Sequence, residues 1–174
     1  MMAREDCGLT GIAREIAYEG SAHGSVEVRK YDLNCYGIST RPLHISLSYN
    51  DDPIIPGISN NARGALRFLQ KLGIPLQDNL QRWKVWEEFS CEEQRIISSA
   101  LAQQLLAHAC SITRLFCESY LFPAERARTP LRNAQEYATL LNACGRWSRP
   151  KTGAQICRGD RGSAYREAEH MLTN

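Results

Sequence analysis

The chain has 174 residues, with 21 Lys and Arg against 19 Asp and Glu, and a formal net charge of +2. This length suits one domain, or one domain with an arm, and is enough to bury a core. Hydrophobic residues at 43% and charged residues at 23% are ordinary globular values, which exclude a fibrous repeat or a wholly disordered chain. No window approaches 18 consecutive apolar residues, so we predict no membrane span. The first residues carry Glu5 and Asp6 where a secretion signal needs basic residues and then an apolar run, so we expect no such signal.

The seven cysteines and four histidines are scattered along the chain, and no two cysteines are spaced as Cys-x-x-Cys. A structural zinc site needs ligands in close pairs, so this spacing argues against one. We therefore expect a cytoplasmic protein with reduced thiols, several of which serve as small apolar core residues.

The predicted elements begin with a helix over 9–18, where apolar residues recur at helical spacing and Gly20 provides a left-handed cap. A short alternating strand follows over 26–31. Residues 37–60 then read as a long irregular stretch, and a loop of that length is more often functional than idle. The next helix covers 62–72, with one Ser and two Asn before it as candidate caps.

The middle of the chain contains the strongest helix signal. Trp83, Trp86 and Phe89 are spaced three apart, which predicts the apolar face of a short helix. Ser90 and Glu93 form a capping box, which predicts the start of a long helix. Asn133 and Glu136 form a second capping pattern, for a helix that we expect to end at Gly145. The elements predicted from here on are helices over 91–110, 111–121 and 134–143, a strand over 152–157 and a helix over 163–172.

These elements predict an α/β chain that is mostly helical, with few short strands. We divide it into an N-terminal helix and strand over 1–36, an irregular loop and helical region over 37–128, and a helix-turn-strand-helix segment over 129–174.

Basic residues are concentrated between positions 121 and 161, a stretch that contains eight of them and three acidic residues. Seven of the eight are Arg, whose planar guanidinium suits two-pronged contacts to phosphate better than Lys does. Two interpretations stay open: a polyanion-binding surface, or an ordinary solvated surface with Arg–carboxylate pairs. The eight residues are Arg126, Arg128, Arg132, Arg146, Arg149, Lys151, Arg158 and Arg161.

Asn142-Ala143-Cys144-Gly145-Arg146 is the sharpest local pattern. Its small residues would let another surface or a ligand approach the backbone closely, whereas a plain Gly-capped helix explains the same residues. Cys144 has no His near it in sequence, which favours a buried thiol over a nucleophile. Asp51 and Asp52, before a proline, form either a metal-binding turn or, as we favour, a plain turn.

Several segments resemble the archaeal RecJ-like exonucleases, which degrade single-stranded DNA and belong to the DHH phosphoesterase family. The resemblance runs from about residue 9 to 172. The segments that carry it are Leu131–Thr139 with Leu140–Arg146, Arg149-Pro150, Gly153 and Cys157–Arg161, together with Gly37–Leu43, Asp52–Ser59 and Leu72–Pro75.

The resemblance implies a fragment or truncated relative of a metal-dependent exonuclease, which hydrolyses phosphodiesters. Family members bind two manganese or magnesium ions through an Asp-His-His motif and further aspartates, and carry a Gly-Gly-Gly-His motif in a substrate-binding domain. This sequence contains neither motif, so we expect no metal ligands and no catalytic residue in this chain. The fold it implies is a fragment of a DHH phosphoesterase-like fold.

The resemblance also implies a phosphate site. In the family, the Asn-Ala-x-Gly-Arg turn faces the active site and supplies a phosphate-contacting Arg, which corresponds to Arg146 here. Asn142 and Gly145 would shape the turn. Ser148 stands where the family usually has Gly, which puts the turn after Arg146 in doubt. The basic residues expected to support phosphate binding around it are Arg149, Lys151, Arg158 and Arg161.

Three functional hypotheses follow. In the first, the chain keeps its contact with single-stranded nucleic acid, and a partner such as the missing DHH-domain portion supplies the metal centre. In the second, it is a non-catalytic interaction or scaffold module of the DNA replication and repair machinery, because the family associates with GINS-type proteins. In the third, it is an incomplete reading frame with no separate role. Surfaces that pack on other domains in the family would be exposed, so we also expect self-association.

Overall fold

The computed structural model describes residues 9–173. Residues 1–8 lie outside the described residues. They include Cys7 and the N-terminal segment for which we expect no secretion signal. The architecture is seven helices and one two-stranded sheet in the described part, so the expected mostly helical α/β fold is confirmed. In chain order the elements are α1 (Gly11–Ala22), β1 (Glu27–Leu33), α2 (Leu43–Ser48), α3 (Ala62–Lys71), α4 (Cys91–Ala107), β2 (Phe116–Leu121), α5 (Ala134–Arg146), α6 (Pro150–Cys157) and α7 (Ser163–Thr173).

Side-chain caps determine several helix starts, as the sequence predicted. The Ser90 hydroxyl accepts the Glu93 N–H at 3.2 Å, and the Glu93 carboxylate accepts the Ser90 N–H at 2.7 Å, so α4 begins with a capping box. Asn61 caps α3 by accepting the Gly64 N–H at 2.8 Å. No helix within residues 9–173 is long and apolar enough to cross a membrane.

Four predicted elements are wrong. The first helix continues through Gly20 to Ala22, and the 37–60 stretch contains the short helix α2. Residues 116–121 form the strand β2 rather than a helix, because they pair antiparallel with β1, more than 80 positions earlier. Residues 150–157 form the helix α6 rather than a strand, with Pro150 in its first turn, where a missing N–H costs nothing.

The sheet is held to the core by a buried carboxylate. Asp32 lies where the register of β1 against β2 shifts, and it is 6% exposed. It accepts hydrogen bonds from Trp86 Nε1 at 2.5 Å, Ser119 Oγ at 2.6 Å and the Leu33 N–H at 3.0 Å. Trp86 and Phe89 are buried as predicted, although the helix between them is a single turn over Trp86–Glu88.

The apolar residues form two clusters. The first lies between residues 33 and 116 and includes Leu47, Leu69, Ile97 and Leu101. The second lies between residues 131 and 171 and is built by α5, α6 and α7. Two cysteines serve as small core residues, as expected: Cys35 in the first cluster and Cys144 in the second.

A second buried carboxylate joins the two clusters. Glu136, on the first turn of α5, is 5% exposed. It accepts the Ser39 N–H at 2.7 Å and the Thr40 hydroxyl at 2.7 Å. The Asn133 side chain caps α5 alone, by accepting the Gln135 N–H at 2.9 Å. Glu136 therefore joins α5 to the loop before α2 and does not take part in the capping pattern that the sequence predicted.

Glu136 also couples stability to pH. Burial raises the pKa of its carboxyl above the ordinary 4.5, although the hydrogen bonds from Thr40 and Ser39 act in the opposite direction. The folded chain therefore binds a proton at Glu136 more tightly than the unfolded chain does. Its contribution to stability is full below about pH 4.5 and decreases as the pH rises through the raised pKa.

Glu136→Gln, which cannot ionise, should abolish this contribution. The measurement is urea unfolding of both proteins at several pH values between about 4 and 7. The free energy of unfolding of the wild type, minus that of the variant, should fall as the pH rises. Glu92→Gln, at the exposed start of α4, controls for the loss of one negative charge. A wild-type-minus-variant difference that does not change with pH contradicts the prediction.

Candidate nucleic-acid interface

Three of the eight basic residues between 121 and 161 make ion pairs of 3.0 Å or less with carboxylates. Their partners lie 36 to 45 positions away in the sequence. Two nitrogens of the Arg161 guanidinium, Nε and Nη2, donate to the two oxygens of the Glu125 carboxylate. A third nitrogen, Nη1, donates to the Ile156 carbonyl at 2.6 Å. These pairs stabilise the fold and leave little of the charge for a ligand. They are Arg128 with Glu88 at 2.5 Å, Arg132 with Glu87 at 3.0 Å and Arg161 with Glu125 at 2.5 Å.

Four other cations are exposed around α6, and we call them the basic surface: Arg146, Arg149, Lys151 and Arg158. The shortest ion pair that any of them makes within residues 9–173 is the 3.9 Å contact from Arg149 Nε to Glu167. Lys151 lies in the first turn of α6 and Arg158 is its C-cap, so the two cations mark the two ends of this helix. The basic surface is therefore available to an anion. Arg126 is also exposed, but it precedes α5 in the chain and lies near Tyr165 of α7.

The end of α5 sets the position of Arg146. The Arg149 N–H donates to the Cys144 carbonyl at 2.8 Å, and the Ser148 N–H donates to the Gly145 carbonyl at 3.0 Å. This pair of bonds is a Schellman motif, in which the residue after the helix cap takes the left-handed conformation. Ser148 is that residue, with φ +54°. The turn after Arg146 is thus present, with Ser in the conformation that Gly adopts most readily.

The predicted end of α5 at Gly145 is wrong, although the Gly145 carbonyl takes part in the turn. α5 does not end at Gly145 but continues to Arg146, with Trp147 as its C-cap. Gly145 is exposed, and a Cβ added to it would meet no heavy atom within 4 Å. A left-handed glycine therefore does not determine the position of Arg146. It lies in the last turn of the helix, where a positive charge is favourable next to the carbonyl end of the helix dipole.

Asn142 lies in the wall of a cleft of about 470 Å³ between α5 and the sheet. α5 lines this cleft with residues at helical spacing, from Gln135 through Thr139 to Asn142. Arg146 follows Asn142 by four positions, so it continues the same helix face about 6 Å beyond the cleft. The cleft is also lined by the carboxylates of Asp51, Asp52 and Glu118 and by Arg114, which pairs with Asp52.

Another cation that sequence reasoning missed is Arg41, which lines a second cavity of about 490 Å³ that shares Tyr36 with the cleft. The Arg41 guanidinium lies over two tyrosine rings, 5.1 Å from the centre of Tyr36 and 4.9 Å from that of Tyr49. Gly37, with φ +72°, allows this packing, because a Cβ there would lie 2.7 Å from Arg41 Cδ. Tyr36 and Tyr49 also line the cleft. The sequence shows no local signal for the group, since its members become neighbours only after folding.

Trp147 is the second functional candidate that sequence reasoning missed. It is 53% exposed and stands between Arg146 and Arg149, in the run Arg-Trp-Ser-Arg-Pro-Lys. An aromatic residue interleaved with basic residues is a recognised feature of single-strand-binding surfaces. That interleaving is the signal that could have found it.

The remaining sequence candidates have structural roles. Burial raises the pKa of the Cys144 thiol, which disfavours the thiolate that a nucleophile needs. Asp52 pairs with Arg114 at 2.5 Å. Across residues 9–173 no group of three His, Cys, Asp or Glu side chains converges to hold a metal ion. The donor set of the described chain therefore does not fit the two-metal centre that the resemblance implies.

A family model described as the DHH-CID domain matches residues 35–115, somewhat less than half of the chain. The match supports membership of the DHH phosphoesterase family. The matched range contains Arg41 and both tyrosines that flank it, and it ends before α5 and the basic surface. No curated protein matches the chain.

The Schellman motif makes a prediction about two neighbouring positions. Ser148→Gly should raise the free energy of unfolding by about 0.5–1 kcal/mol, because it removes the cost of a left-handed Ser. Gly145→Ala should raise it by a similar amount, because Ala favours the helix and has room for its Cβ. Urea unfolding measures both.

The control is Gly64→Ala in α3, where the added Cβ would lie 2.1 Å from the Gly57 carbonyl oxygen and should destabilise the fold. A destabilised Gly145→Ala variant would indicate that α5 ends at Gly145, contrary to this assignment.

Proposed function

We propose that this chain is a RecJ-like relative that contacts the phosphates of single-stranded nucleic acid and does not supply a metal centre. The observation that carries the proposal is the basic surface, whose four cations are exposed and make no ion pair shorter than 3.9 Å within residues 9–173. The resemblance of Asn142–Arg146 to the family's phosphate-contacting segment supports it, as does the DHH-CID match.

Phosphate contact, and not base readout, is the interaction that these residues suit. Arg and Lys neutralise phosphates and release counterions, so affinity falls steeply as salt rises, with little sequence preference. Arg146 is the central contact in this proposal, because the Schellman motif fixes the backbone from which it extends and its guanidinium offers two parallel donors. Arg149, Lys151 and Arg158 extend the field along α6.

Catalysis is not assigned to this chain. Two-metal hydrolysis needs carboxylate and His ligands that converge on ions about 4 Å apart, and neither the Asp-His-His nor the Gly-Gly-Gly-His motif is in the sequence. If hydrolysis accompanies binding, manganese or magnesium would be held by a DHH-type segment outside these residues. Metal-dependent degradation by the pure chain, lost on mutating this chain, would contradict the proposal.

Arg146→Ala should weaken binding to a short single-stranded DNA oligonucleotide by about ten- to a hundredfold, since a charge-assisted hydrogen bond contributes roughly 1.5–3 kcal/mol. Arg146→Lys should recover part of the loss, because Lys keeps the charge without the fork. Fluorescence anisotropy at two salt concentrations measures both affinity and its salt dependence.

Arg126→Ala is the matched control, an exposed Arg outside the basic surface. It should reduce affinity only slightly. Equal losses for Arg126→Ala and Arg146→Ala would leave only a diffuse electrostatic attraction, and the assignment of Arg146 would fail.

A second candidate function is a non-catalytic interaction module of the replication and repair machinery, with a GINS-type protein or a second copy as partner. One observation favours it: α1 turns its apolar row outward, with Ile12 73% and Ile16 63% exposed. Adjacent exposed apolar side chains on one helix face are typical of a contact surface.

Self-association tests this second function directly. Sedimentation velocity over a concentration series should show a reversible dimer, because burying Ile12 and Ile16 removes apolar surface from water. Replacing both with Ser should shift the equilibrium towards monomer. Ile54→Ser, which removes an exposed Ile outside α1, is the control. A wild-type chain that stays monomeric at high concentration would argue against α1 as a self-contact.

A further inference from the structure

We infer that Trp147 is a stacking site for one nucleobase, next to the phosphate held at Arg146. The inference rests on the proposed function and deepens it, because it assigns a base contact to a surface otherwise defined by charge. Base–aromatic stacking needs a flat ring with one face open to solvent and a fixed orientation.

The indole of Trp147 has a fixed orientation and a large exposed area. Its Nε1–H donates to the Met171 carbonyl at 3.2 Å, and its backbone N–H donates to the Ala143 carbonyl at 3.0 Å. The ring is thus held between the end of α5 and α7 while 53% of the residue stays exposed. The hydrogen bond satisfies the only polar group of the side chain, so the exposed part of the ring is apolar.

The other two tryptophans are used differently. Trp86 is 3% exposed and donates to Asp32 in the core. Trp83 is half-buried and packs against the His44 ring, with 4.7 Å between ring centres. Trp147 is therefore the tryptophan that the fold presents to a ligand.

The surroundings of Trp147 favour a nucleobase over an apolar protein surface. Between residues 113 and 172, Trp147 is the one exposed large hydrophobic residue. A protein-binding patch needs several apolar neighbours, whereas the residues that flank Trp147 along the chain include the exposed cations Arg146, Arg149 and Lys151. A single aromatic ring among cations matches a strand that offers one base and adjacent phosphates.

The test compares two ligands of equal length: a single-stranded DNA oligonucleotide and an abasic strand with the same phosphates. Trp147→Ala should weaken binding to the oligonucleotide by about tenfold and leave binding to the abasic strand unchanged. It should not change the salt dependence, because no phosphate contact is lost. Arg146→Ala, in contrast, should weaken binding to both ligands and reduce the salt dependence.

Two further measurements keep the test decisive if Trp147→Ala unfolds. Trp147→Phe keeps a stacking ring and should retain most of the affinity for the oligonucleotide. In the wild-type chain, tryptophan emission should be quenched by the oligonucleotide and not by the abasic strand, since base stacking quenches an exposed indole.

The outcomes separate this inference from the proposed function. If Trp147→Ala binds the oligonucleotide like the wild type while Arg146→Ala does not, the stacking site is wrong and phosphate binding stands. If the wild type binds neither ligand, both are wrong. If tryptophan emission changes with protein concentration alone and the oligonucleotide adds nothing, a second copy covers Trp147 and the inference is overturned.

Discussion

The buried carboxylate of Glu136 is the contact on which the arrangement of the candidate interface depends. It lies at the start of α5 and accepts one backbone N–H and one hydroxyl from the loop before α2. A carboxylate that loses water on burial needs such donors, and these two lie between Ile38 and Leu43 of the other apolar cluster. Glu136 therefore sets where α5 runs relative to the sheet. That path determines which α5 residues line the cleft and where Arg146 emerges.

Local signals predicted the helix starts well, and non-local contacts explain the errors. The Ser90–Glu93 capping box and the Asn61 cap involve residues three apart, so the pattern in the sequence is the interaction itself. β2 exists because residues 116–121 pair with β1, and its own sequence has no strict alternation. α6 is short, and its position depends on Gly153 packing against Cys144 of α5. Neither constraint is visible within the segment concerned.

The candidate site was predicted in composition but not in geometry. The local excess of basic residues is real, yet Arg128, Arg132 and Arg161 pair with carboxylates. Glu87 and Glu88 lie outside the stretch that was counted. Glu125 lies inside it, but the sequence does not show that Arg161 is its partner. Gly145 was assigned to the turn because Gly is the usual left-handed residue, whereas the structure places Ser148 there. α5 continues three residues beyond the predicted range 134–143, so Trp147 is its C-cap. The predicted helix end gave the indole no such position.

The two apolar clusters have a consequence for how the molecule opens. Much of what joins them is polar: the Glu136 bonds, the Arg132–Glu87 pair and the Arg128–Glu88 pair. Each cluster has its own buried side chains, so we expect the amides of α5, α6 and α7 to exchange hydrogen as a separate unit from those of α3 and α4. The basic surface and the indole both belong to the C-terminal unit. On this expectation, the local opening of that unit, and not the global unfolding of the chain, would govern how long they keep the spacing that a bound strand requires.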